Sequence, residues 1–304
     1  MIDTRSIVVI GAPSSAGAYS PGQEKAPDAL RAAGLLTQLT AEGFDVIDAG
    51  NTQFFRWRPD RSNPRAMHVA SVAGVASEVA GLVAEARTRD QFVIVIGGDC
   101  TVGLGTVAGM LRSSASIGLV YFDLDADLQT PDSTTDGAID WMGVAHVLGV
   151  EGALDELIGL FPRTPALKGN AVLLFGTRNI EVPERERIEQ FEIGMVHGDE
   201  VARDPLAAAA LAREWSAGFE YVALHFDVDV IDFEDFPIAE HIRRKMGLTF
   251  EQATSALDSL LDIPNLAAIT ITEVNPDHDP DGTTVSSFVS RLSSAFSSAL
   301  SDNP

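Results

Sequence analysis

The chain is poor in cysteine, in aromatic residues other than phenylalanine, and in positive charge. A single cysteine, Cys100, in 304 residues rules out an intrachain disulfide and fits a reducing compartment. Its 21 Lys and Arg face 44 Asp and Glu, a formal net charge of −23. That imbalance repels phosphate backbones, so nucleic acid is not an expected partner. The opening "MIDTRSIVVIGAP" carries an apolar run of only five before Gly11, and no later segment approaches 18 uninterrupted apolar residues. Neither a signal-peptide core nor a membrane span is expected, and a cytoplasmic location is. No Pro/Gly-rich linker or composition break divides the sequence, which predicts one domain over residues 1–304.

What the chain does have is a repeating alternation. Short runs rich in Val, Ile, Leu or Phe recur: "SIVVI", "FDVID", "FVIVI", "IGLVYF", "AVLLF", "IGMVH", "YVALHF" and "AAITI". Most are continuous rather than alternating, as expected of strands covered on both faces. Between them lie segments with helical spacing, such as "APDALRAAGLLTQLTAEG" and "MHVASVAGVASEVAGLVAEAR". Asp204 followed by Pro205 reads as a cap and first helical position, and Thr249 with Gln252 has capping-box spacing. The Ser-rich end reads as a last helix that frays. Repeated β-α units imply parallel strands joined by helices, in either an open doubly wound sheet or a closed (β/α)₈ barrel.

Both architectures place ligands beyond the carboxyl ends of the strands. Four such ends carry polar residues. "FVIVI" runs into Gly97-Gly98-Asp99-Cys100-Thr101, "IGLVYF" into Asp123, Asp125 and Asp127, "YVALHF" into Asp227 and Asp229, and "AAITI" into Thr272-Glu273-Val274-Asn275-Pro276. A lone Asp there is usually a cap or turn former. The Asp residues gathered at two strand ends would repel one another strongly unless a cation neutralised them. Carboxylate-rich sites favour hard divalent ions, and two ions about 3.5 to 4 Å apart can share bridging carboxylates and activate a water.

In this order, "GGDCT", "DLDADLQTP", "HFDVDVIDF" and "TEVNP" resemble the motifs of the ureohydrolase family, the arginases and agmatinases. The opening "IGAPSSAGAYSPGQEKAPDALRAAGLL" also resembles that family's entry loop and first helix. The resemblance implies a three-layer α/β/α fold with an open eight-stranded parallel sheet, which decides against the barrel. It also implies two divalent ions, Mn²⁺ in this family, with a single ion or another metal left open for this chain, and a homo-oligomer, commonly a trimer or hexamer. The substrate it implies is a small cation, a guanidino or amidino compound, attacked by a metal-bridging hydroxide with release of urea or a urea analogue. By position, Cys100, Asp123, Asp127 and Asp227 would hold one ion, and Asp123, Asp125, Asp227 and Asp229 the other. Glu273 matches the carboxylate that orients the guanidinium group.

The departures are specific. Cys100 and Asp125 stand where the family has metal-binding histidines, which takes the six ligands from a formal charge of about −4 to about −6 against about +4 from two ions. Asp140 occupies the position of a histidine proton shuttle, a role that requires a raised pKa. Gln129 and Asp136 fall where arginases hold the substrate α-carboxylate, and Glu181, beside Asn179, falls in the α-amino loop. A carboxylate at 136 would repel an α-carboxylate, so free L-arginine is not the expected substrate. His146 is read as a core residue or one that supports the site from behind, and the other histidines offer no spaced ligand pair. Two other readings compete. One is a non-catalytic metal- or ligand-binding member of the fold; the other makes Cys100 a nucleophile, although no base for it is identifiable in the sequence.

Overall fold

A computed structural model describes residues 3–300 of the chain, with side chains over 6–299. Eight strands form one sheet: β1 (Asp3–Gly11), β2 (Asp45–Asn51), β3 (Gln91–Ile96), β4 (Ile117–Phe122), β5 (Val172–Phe175), β6 (Gly194–Val196), β7 (Tyr221–Asp227) and β8 (Leu266–Thr272). Their order is β2-β1-β3-β8-β7-β4-β5-β6, and every pairing is parallel. The sheet is open, so the arginase-like expectation holds and the barrel does not. Each apolar run of the sequence falls within one of these strands or overhangs it by no more than one residue at either end.

The helices are α1 (Ala26–Ala32), α2 (Leu35–Ala41), α3 (Val69–Arg87), α4 (Val102–Ser113), α5 (Gly143–Leu148), α6 (Asp155–Ile158), α7 (Val182–Phe191), α8 (Gly198–Arg203), α9 (Pro205–Ser216), α10 (Phe250–Leu261) and α11 (Thr283–Leu300). They cover both faces. Side chains alternate along a strand, so Val120, Phe122, Leu224 and Phe226 pack under α10 and α11, while Leu119, Tyr121 and Ala223 pack with residues of α3, α4 and α5. The helical segment read as one unit after Pro27 is two helices. Gly34 breaks it with φ 91°, a left-handed conformation that glycine adopts without steric cost.

The caps form as expected. Asp204 accepts from Ala207 N–H, and Thr249 and Gln252 make a reciprocal capping box. The last helix, α11, ends at the edge of the described region, and the expected fraying beyond it lies outside the described residues. α3 is long and apolar enough to cross a membrane by length and composition. Here it packs on α4, where a Cβ at Gly105 or Gly109 would stand 2.7 Å from Val79 Cβ or 2.6 Å from Val83 Cβ.

Candidate metal centre and active site

The site is built at the carboxyl ends of three central strands, β4, β7 and β8, and the loop after β3. Tyr121 pairs with His225 and Phe122 with Phe226 across β4 and β7, so the chain brings Asp123 and Asp227 out at the same level. β8 aligns Thr270 with His225 and Thr272 with Asp227. One layer below the two carboxylates, the Tyr121 ring stacks on the His225 ring at 4.2 Å. The loop carrying Cys100 approaches closely because Gly98 has no side chain; a Cβ there would stand 1.7 Å from the Ser14 carbonyl oxygen.

Among the described residues three convergent groups result, each with its ligand atoms within 4.8 Å of one another: Cys100 with Asp123, His225 and Asp227; Cys100 with Asp140 and Glu273; and Asp123 with Asp125 and Asp229. All of these residues are buried. The Cys100 thiol donates to Asp227 Oδ2 at 2.8 Å, and His225 Nε2 lies 3.3 Å from its sulfur. Asp127 joins none of these groups; its carboxylate accepts from the Tyr121 hydroxyl. Asp127 and Glu273 both hold left-handed backbone conformations, φ 49° and 64°, the kind of local strain that functional sites retain.

Electrostatics follow from crowding. Burial first, and neighbouring carboxylates second, push Asp123, Asp127, Asp140, Asp227 and Glu273 well above the usual carboxylate range. Asp229 is lifted to about 7 by burial and Asp125. Burial, then Asp227, raises the Cys100 thiol, and burial alone lowers His225 to about 3, so the imidazole is neutral. A divalent cation would reverse the carboxylate shifts. The residues fit one: Asp123 Oδ2 is buried with no hydrogen-bond partner, and the donors around it are sulfur, imidazole nitrogen and carboxylate oxygen. Asp229 Oδ1 is likewise unpartnered.

Other residues singled out by sequence take definite places. Asp140 Oδ1 accepts from Cys100 N–H at 2.7 Å, which turns its carboxyl inward beside Glu273. Glu273 Oε2 accepts from Gln23 Nε2 at 3.0 Å, while its Oε1 has no partner. Gln129, Asp136 and Glu181 line a cavity of about 460 Å³ that meets the acid cluster at Asp125 and Asp127, together with Trp141, His241 and Arg243. Asp136 accepts from Ala138 N–H and Trp141 Nε1–H, each at 3.0 Å. Glu181 caps α7 and accepts from Gln129 Nε2 at 3.1 Å. His146 uses both ring nitrogens on backbone, at Met142 and Leu154, as a core histidine does.

Sequence reasoning missed three contributors. His225 hides inside an apolar strand; the signal was its two-residue offset from Asp227, which puts both on one face of β7. Arg243 makes an ion pair with Asp125 from a loop with no periodicity. Gln23 reaches Glu273 from the entry loop, 250 residues away in sequence.

The Arginase family model matches residues 5–297. The arginase of Brevibacillus brevis is 27% identical over 97% of this chain and 99% of its own length, and mouse Arginase-1 is 29% identical over 90% and 85%. The crystal structure of arginase from Bacillus cereus superposes with a TM-score of 0.85 at 26% identity, covering 96% of this chain and 98% of that one. The chain belongs to the arginase family, the ureohydrolases. At the level of the family, that makes it one of the metal-dependent hydrolases acting on C–N bonds of guanidino compounds.

Proposed function

We propose that this chain hydrolyses a small cationic guanidino or amidino compound lacking the α-carboxylate of arginine, releasing urea or a urea analogue. The observation that carries the reading is the buried convergence of Cys100, Asp123, His225 and Asp227 around an unpartnered Asp123 oxygen. A divalent ion held there supplies Lewis acidity and an activated water. Glu273, with one oxygen fixed by Gln23 and one free, orients the cationic carbon group. Asp140, whose carboxyl burial and then Asp99 push upward, stands beside Glu273 in position to pass a proton to the departing amine. In the outer cavity, Asp136 and Glu181 disfavour an anionic substrate end.

The competing use of Cys100 as a nucleophile has a neighbour in His225, but burial favours the neutral forms of both thiol and imidazole. Their proton therefore stays on sulfur, which disfavours that route. The test is a urea-release screen over guanidino and amidino compounds with Mn²⁺, Co²⁺ and Zn²⁺ added in turn. Turnover that a strong chelator abolishes is the expected result. No release with any ion sinks the reading in favour of a non-catalytic member, and release that survives the chelator sinks it in favour of the thiol.

A further inference from the structure

We propose that Arg243 is a built-in second cation, and that this chain holds one divalent ion, on Cys100, Asp123, His225 and Asp227, where its family uses a pair. The inference rests on the metal-dependent reading above and concerns how that site is filled.

The outer acids are already served by a positive charge. Arg243 Nη1 donates to Asp125 Oδ2, and Asn179 Nδ2 donates to Asp125 Oδ1, so both oxygens of Asp125 are engaged by N–H donors. The guanidinium also lies over the Trp141 ring, 5.7 Å from its centroid. The pair is largely shielded, with side-chain exposures of 19% for Arg243 and 10% for Asp125. A second divalent ion between Asp123, Asp125 and Asp229 would sit against this guanidinium, and like charges at contact range in a shielded site repel strongly.

The loop backbone that presents Arg243 is pinned. The Arg243 carbonyl accepts from Phe233 N–H at 3.2 Å. Asp232 Oδ2 accepts from Met246 N–H at 2.9 Å, and Arg178 Nη1 donates to the carbonyls of Met246 and Gly247, both at 2.7 Å. Gly247 lets the loop lie flat, since a Cβ there would stand 2.4 Å from Asp232 N. The inner set differs in its charge and its donors. It has no cationic side chain among its members and adds His225 where the family pattern would use Asp127, whereas the unpartnered Asp123 oxygen is common to both sets and the outer one also keeps an unpartnered Asp229 oxygen, so it is the guanidinium that sets the two apart. The inner position is therefore the one that takes the ion.

Equilibrium dialysis of the full chain against Mn²⁺ and, separately, Zn²⁺, followed by metal analysis, tests this. The wild type should bind one ion per chain, Arg243→Lys should still bind one, and Arg243→Met should bind two. With Mn²⁺, the wild type should give the spin resonance spectrum of an isolated ion and Arg243→Met that of an exchange-coupled pair. Two ions on the wild type overturn the inference while leaving the hydrolase reading intact, as does a single ion on a folded Arg243→Met. No ion on the wild type overturns both. Should Arg243→Met fail to fold, the wild-type count and its spectrum still decide.

Discussion

The inner and outer halves of the acid cluster are made of different material. Asp123, His225 and Asp227 stand on or directly behind paired central strands, over a stacked Tyr121 ring, and Cys100 is held by a glycine-bearing turn against Ser14. Asp125, Asn179, Arg243 and Trp141 come from loops and short turns around the cavity. The difference teaches how each half is positioned. Strand register fixes the place of the inner groups, whereas loops can bring up a charge such as Arg243 without disturbing the sheet.

The comparison breaks most sharply at Asp227. Asp227→Asn should lower divalent-ion affinity by more than about a hundred-fold, since it removes a ligand rather than a supporting group, and titration calorimetry measures it; unchanged affinity would place the ion elsewhere. Glu273→Gln should reduce kcat/KM by about 10²–10³-fold with ion content unchanged, read from steady-state kinetics beside metal analysis.

On the outer side, burial lifts Glu184, which accepts from Leu128 N–H and Glu181 N–H, from 4.5 to about 7. Below its unfolded value both states are protonated. As pH rises toward about 7 only the unfolded chain ionises, so stability falls, by roughly 3 kcal/mol from this group, and then levels off. Glu184→Gln should flatten that fall in denaturant melts run across the range in chelator; a parallel fall in the variant would exonerate Glu184. The smallest expected effect lies beneath the inner set. A Cβ at Gly103 would stand 2.7 Å from His225 Nδ1, so Gly103→Ala should tilt the imidazole and weaken ion binding about ten-fold, while the same change at the open Gly81 should leave it untouched.

Much of this was legible in the chain. "IGLVYF" coincides with β4 to the residue, and both predicted caps form, because hydrophobic runs and capping chemistry are local signals. The broken helix at Gly34 turned on one backbone angle that periodicity does not encode. The acids could be grouped from strand ends, but their partition into sets could not. It depends on Tyr121 drawing Asp127 aside and on Arg243 reaching Asp125 across 118 residues, and both are tertiary contacts. His225 was masked by its apolar neighbours, although the two-residue period was there to be used.

The twisted backbone at Asp127 and Glu273 has a bearing on how such a protein changes over generations. Glycine at either position would relieve about 1 kcal/mol of backbone strain, an amount that its greater freedom in the unfolded chain largely offsets. Loss of the side chain would also strip the Tyr121 hydroxyl of its acceptor at one position and the Gln23 amide of its own at the other, so drift to glycine there gains nothing in sturdiness.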